Sequence, residues 1–166
     1  NYDGFFVKFK ANWVRQLATY YGGTGSENIT NCTVDKTGNV YISGTTASTS
    51  SISSGGHQNS YGGGFLDAFL IKFNSSGTRL WGTYYGGSSS EFGNSCATDN
   101  SGNVYLCGLT QSSNNISMNG HKNTYVFQTS PFLYYNEEAF LVKFNSSGVR
   151  QWGTYYGGFQ NDEAFE

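Results

Sequence analysis

Phe69-Leu-Ile-Lys-Phe-Asn-Ser-Ser-Gly-Thr-Arg-Leu-Trp-Gly-Thr-Tyr-Tyr-Gly-Gly87 decides the fold, because it returns as residues 140–158 with 16 of its 19 positions unchanged. A third copy, residues 5–23, keeps 12 of the 19 found at 140–158. Within this copy Phe69, Ile71 and Phe73 alternate with Leu70 and Lys72. Alternation of this kind marks a strand with one face buried. Ser75-Ser76-Gly77 then offers a three-residue turn whose glycine takes the left-handed conformation, and Arg79 to Tyr85 returns antiparallel. With Asn74 facing Thr78, simple counting sets Ile71 opposite Trp81.

A second module, residues 32–46, recurs at 96–110 with 8 of 15 positions identical. Its strands flank the turn Asn100-Ser101-Gly102. Tyr20 to Tyr84, Asp35 to Asp99 and His57 to His121 all step by 64 residues, whereas Tyr84 to Tyr155 steps by 71. The added seven residues fall between His121 and Glu138. Two hairpins per unit make four antiparallel strands, and four strands at a fixed period describe a propeller blade, whose faces bury against its neighbours. The expected fold is therefore all-β, of β-propeller type, with about two and a half units: 1–66, 67–137 with an enlarged loop at 122–137, and 138–166 as the opening half of a third. A blade usually needs only ~40 to 50 residues. The surplus sits in 46–66 and 110–136, which are expected to be loops on the faces. Two and a half blades fall short of a ring of about four to eight, so the expectation is a fragment of a longer polypeptide, a subunit completed by other copies, or an open stack.

Composition agrees. Gly, Ser, Thr and Asn supply 76 of 166 residues, which leaves little for long helices. A net charge of −2, with nine scattered Lys and Arg, gives no footprint for phosphate backbones. Nucleic acid is not an expected partner. Nor is membrane insertion, since no apolar run approaches the ~18 residues of a spanning helix. Three cysteines cannot all pair, and Cys96 counts opposite Leu106 rather than Cys107, so three buried thiols are expected.

Asp67-Ala-Phe-Leu-Ile-Lys-Phe, Trp81-Gly-Thr-Tyr-Tyr-Gly-Gly, Thr98-Asp-Asn-Ser-Gly-Asn-Val-Tyr and Gly55-Gly-His-Gln-Asn-Ser-Tyr closely resemble the bacterial β-propeller repeat called SBBP. The resemblance covers nearly the whole chain. It implies tandem arrays on exported proteins, in a style most like Bacteroidota and type IX secretion, hence a secreted or cell-surface propeller without assigned catalysis. The first unit departs from the pattern: Trp13 stands where Gly77 and Gly148 stand, and Leu17 replaces Trp81 and Trp152.

A residue that recurs in every unit is first suspected of building the unit, because an active site needs its groups once. His57 and His121 occupy one repeat position and lack partners at metal-ligand spacing. The acids at Asp35 and Asp99 fit a side chain bonding its own turn better than a calcium loop. No cofactor and no metal are expected, and no enzyme; a catalytic reading would need a cleft converging on Glu137, Glu138 or Asp162. The Tyr-Tyr pairs are expected to place one ring each in the core. The informative positions are those that do not repeat: Tyr125, Phe127, Phe132, Tyr134 and Tyr135 on the enlarged loop, and Trp13. Loop aromatics offer contact area at low entropic cost. The expected role is an extracellular scaffold or adhesion module that contacts glycans or partner proteins. The alternative is a structural subunit of a surface filament or layer, self-associating through blade edges.

Overall fold

The computed structural model describes residues 1–127, 136–159 and 161–165. Every regular element among them is a strand. β1 (Gly4–Phe9) and β2 (Arg15–Tyr21) form a two-stranded sheet. β3 (Glu27–Val34), β4 (Val40–Thr46), β5 (Asp67–Phe73) and β6 (Arg79–Tyr85) form a four-stranded antiparallel sheet in that order. β7 (Glu91–Thr98), β8 (Val104–Thr110), β9 (Glu138–Phe144) and β10 (Arg150–Tyr156) repeat it. The blades are thus phased by the sheets as 27–85 and 91–156, with β1 and β2 standing where β5 and β6 stand.

The turns explain why hairpins form at these places. Asn74 Oδ1 accepts from the amides of Ser76 at 3.0 Å and Thr78 at 2.8 Å, and Asn145 does the same for Ser147 and Val149, both at 3.0 Å. Gly77 and Gly148 hold the left-handed position at φ 85° and 79°. Sequence counting misplaces one pairing. A bulge between Lys72 and Phe73 sets Phe73 opposite Arg79, passes over Leu80, and brings Lys72 opposite Trp81 and Ile71 opposite Gly82. The extra residue puts Leu80 outside and Trp81 inside. The other turn behaves as counted, with Cys96 opposite Leu106.

Two cores lie on opposite faces of the β3–β6 sheet. Phe6 and Tyr21 of the hairpin meet Val40, Ile42, Phe69, Ile71, Phe73 and Tyr84. On the other face Tyr41, Leu70, Trp81 and Tyr85 meet Val104, Leu106, Phe140, Val142 and Phe144 of the next sheet. β4 and β5 are therefore buried at every residue, and their alternation separates two apolar faces rather than core from solvent. Each fully buried aliphatic or aromatic side chain stabilises by about 1.5–3 kcal/mol.

The long loops do not lie on the faces as expected. Residues 54–58 run back along β6, exchanging Ser54 and Gly82 amide bonds of 2.9 Å in both directions, and Gln58 O accepts from Tyr84 N at 3.0 Å. Met118 and Gly153, and Lys122 with Tyr155, repeat these contacts on β10. The surplus over a minimal blade is spent covering the outermost edge, which would otherwise present unpaired amides.

Candidate functional site

The residues that recur are absorbed by the junctions between sheets. Trp81, 4% exposed, points from β6 at the turn of the following hairpin: its Nε1–H donates to Ser146 O at 3.1 Å, and Lys72 Nζ donates to the same oxygen at 3.0 Å. A Cβ at Gly148 would lie 2.8 Å from the Trp81 ring, so only glycine lets the indole approach. One repeat earlier Leu17 lies against Gly77 and Lys8 Nζ donates to Ser75 O at 3.2 Å. The Tyr pairs tie each sheet to the loops. Tyr21 and Tyr85 hydroxyls donate to Ile52 O and Ile116 O of the following repeat. Tyr84 and Tyr155 donate to Ser48 O and Ser112 O of their own repeat, each at 2.9 Å. Both rings of the middle pair are buried, since this sheet has a neighbour on each face, so the expected half-outward arrangement fails there. Tyr20 and Tyr156, on the outward faces, are exposed.

The turn acids are likewise consumed. Asp35 Oδ1 accepts from the amides of Thr37 at 2.9 Å and Asn39 at 3.0 Å, and Oδ2 from Asn39 Nδ2 at 2.8 Å. Burial pushes this carboxyl up, but the bonds from Asn39 and Thr37 outweigh it and hold it at about 2. Asp99 is bonded in the same way by Ser101 and Asn103, both amides at 2.9 Å. His57 stands at the surface with its ring 6.1 Å from Phe144, and His121 is exposed. The expectation of three buried thiols holds for Cys96 alone: Cys32 is exposed and Cys107 half-buried, with no disulfide among them. Of the acids named for a catalytic reading, Glu137 Oε1 accepts from Gln111 Nε2 at 3.0 Å, Glu138 pairs with Lys122 at 2.7 Å, and Asp162 Oδ2 accepts from Gly158 N at 2.7 Å.

Of the candidate contact residues, Trp13 is 84% exposed and sits at φ 64°, the left-handed position that Gly77 and Gly148 fill. Its turn keeps the same geometry as theirs, with Lys10 N to Val14 O and Trp13 N to Lys10 O both at 2.9 Å. Tyr125 proves to be the repeat equivalent of Tyr61: its ring packs edge-on to Tyr155 at 5.7 Å, as Tyr61 packs on Tyr84 at 5.8 Å. Its hydroxyl donates to Asn136 O. Phe127 leans on Tyr125 at 5.1 Å yet is 66% exposed. Phe132, Tyr134 and Tyr135 lie outside the described residues. Sequence reasoning missed Phe65, 88% exposed at the end of the first long loop; its lack of an aromatic partner two residues either side was the available signal.

The last described residues continue the pattern. Asp162 N donates to Glu137 O at 3.0 Å, as Glu91 N donates to Leu66 O at 2.8 Å. Asn94 Nδ2 donates to Ala164 O at 2.9 Å where Thr30 Oγ1 donates to Gly93 O at 2.6 Å. Residues 162–165 thus sit on the second sheet as the start of β7 sits on the first. No curated protein matches the chain. Residues 80–116, which run from β6 across β7 and β8 to the Ile116 that receives the Tyr85 hydroxyl, match the family model SBBP, described as a beta-propeller repeat. Residues 80–116 are thus similar to an SBBP β-propeller repeat, and the antiparallel four-stranded sheets that this stretch joins are consistent with propeller-type blades.

Proposed function

We propose that the chain is a non-enzymatic scaffold with an adhesive surface, carried on or released from the outside of a bacterial cell, whose exposed aromatics contact glycans or partner proteins. The observation that carries this reading is a division of labour. Repeated polar and aromatic groups are mostly spent on turns and junctions, with Phe5, Tyr20 and Tyr156 of the outer sheets left exposed, while the exposed Trp13, Phe65 and Phe127 are not repeated. Large exposed apolar groups on loops suit recognition, since a few aromatic anchors dominate binding energy. The reading assigns no catalysis, because the recurrent acids already hold loop amides. A glycan array and binding to cell-surface extracts test it, with a Trp13→Ala, Phe65→Ala, Phe127→Ala variant as control. The expected result is binding that falls at least about tenfold in the variant at unchanged melting midpoint. Blank arrays together with equal retention of both proteins on extracts would refute it.

One observation favours a second reading, a filament or layer subunit. Among the described residues β1 pairs only with β2, whereas its counterparts β5 and β9 are paired on both sides. A strand with exposed Phe5 and Phe9 that can take a further partner along its second edge is a template for strand addition. Light scattering separates the readings: large assemblies that Phe5→Lys disperses support the filament, and a single monodisperse species at every concentration excludes it.

A further inference from the structure

Gly86, directly after the middle Tyr pair, sits beneath two converging carboxylates. From the place where a Cβ would stand, Glu91 Oε2 is 2.4 Å away and Asp67 Oδ1 is 2.7 Å away. Both side chains are fully buried. Glu91 is well satisfied: Oε1 accepts from Thr110 Oγ1 at 2.6 Å and Oε2 from Gly87 N at 2.9 Å. Asp67 is not. Its Oδ2 accepts from Gly62 N at 2.7 Å, but Oδ1 is buried with no hydrogen-bond partner. A buried, unpartnered carboxylate oxygen is costly, because it has given up water for nothing.

The next repeat shows what belongs there. Glu138 stands where Asp67 stands, accepting from Val126 N as Asp67 accepts from Gly62 N. In that repeat Lys122 places its ammonium 2.7 Å from Glu138 Oε2 and 2.9 Å from Gly157 O. The residue equivalent to Lys122 is Gln58, and the two backbones are fixed alike. Lys122 N donates to Thr154 Oγ1 at 2.8 Å and Gln58 N to Thr83 Oγ1 at 2.8 Å. Both side chains therefore set out from the same point toward the glycine after the Tyr pair. One ends in a cation; the other ends in a neutral amide whose Oε1 accepts from Gly86 N at 3.2 Å.

We propose that a hard divalent cation of the calcium class binds at the Asp67–Glu91 pair, in the seat that the Lys122 ammonium fills one repeat later. Asp67 Oδ1 and Glu91 Oε2 supply the charge, Gln58 Oε1 is within reach as a neutral oxygen, and water completes the shell, as oxygen-only ligation requires. Such a cation would cross-link the β4–β5 loop side of one sheet to the first strand of the next, and this holds whether or not the surface is adhesive.

The test compares the 166-residue chain with Gln58→Lys and Lys122→Gln variants at pH 8, by thermal melting and calorimetric titration with calcium chloride after chelation. Calcium is expected to raise the wild-type midpoint by at least about 3 °C. Gln58→Lys, which supplies its own ammonium, should be more stable than wild type in chelator and insensitive to calcium. Lys122→Gln should respond more strongly than wild type. The proposal is overturned if wild type and Gln58→Lys respond alike, if neither responds, or if potassium chloride at matched ionic strength reproduces the shift. A Gln58→Lys variant less stable than wild type in chelator would also overturn it, by showing that the two seats are not equivalent.

Discussion

Two of the tryptophans should respond to truncation with opposite signs, because one closes a junction and the other strains a turn. Trp81 is 4% exposed, stacks edge-on with Tyr41 at 6.0 Å, lies on Gly148 and donates to Ser146 O at 3.1 Å. Trp81→Ala removes that packing and leaves a cavity between sheets, worth about 3–5 kcal/mol. Losing the indole hydrogen bond adds little beyond about 1 kcal/mol, since Ser146 O keeps Lys72 Nζ at 3.0 Å. A loss near 4 kcal/mol corresponds to a fall of roughly 10 °C in melting midpoint for a chain of this size. Trp13 is 84% exposed at φ 64°. Trp13→Gly relieves a left-handed backbone cost of about 1–2 kcal/mol and pays back about 0.5–1 kcal/mol in chain flexibility. The net is a small gain. Guanidinium and thermal denaturation followed by circular dichroism read both changes. The junction account is refuted if Trp81→Ala costs less than about 1 kcal/mol, or if the two variants destabilise equally.

Gly148→Ala and Gly102→Ala share φ 79°, but a Cβ meets the Trp81 ring at 2.8 Å in the first and nothing closer than 3.6 Å in the second. The first should therefore cost at least about 1 kcal/mol more in denaturant titration, the excess being the clash. Asp35 has a carboxyl held below its unfolded value, so its contribution is complete above pH ~4 and is lost as pH falls toward about 2. Asp35→Asn should flatten that acid limb of the stability–pH curve and leave the neutral plateau lower, which acid titration followed by circular dichroism will show.

Much of the fold was legible because repetition averages over local ambiguity. Three copies of one hairpin fix strand, turn glycine and return strand together, and the Asx residues at 35, 74, 99 and 145 announce their turns. The register was not legible, because a bulge at Leu80 leaves no mark except an apolar pair, Leu80-Trp81, where alternation expects one apolar and one polar residue. The loops misled for a different reason. Ser, Gly and Asn describe exposed chain, and covering a strand edge with backbone bonds needs no particular side chain, so edge cover and face loop look the same in sequence. The acid pair at Asp67 and Glu91 was visible only as two recurrent carboxylates 24 positions apart; what joins them is the glycine between, which lacks a side chain to hold them off.

The junction also bears on which partners the surface can accept. At two successive turns the chain places glycine opposite a large side chain of the preceding sheet: Gly77 under Leu17 and Gly148 under Trp81. The third such turn carries Trp13 at the glycine's position, and it is exposed. A sheet docked there with the same geometry would have to bring a small residue where Leu17 and Trp81 stand. The repeat surface is therefore self-complementary at two turns and not at the third. A side chain of Leu17 or Trp81 size brought there by the same junction would meet a Trp13 Cβ at the position where Gly77 and Gly148 have none. Of the two readings, a partner of different shape that packs on the exposed indole fits this turn better than stacking by the chain's own Trp–Gly contact does.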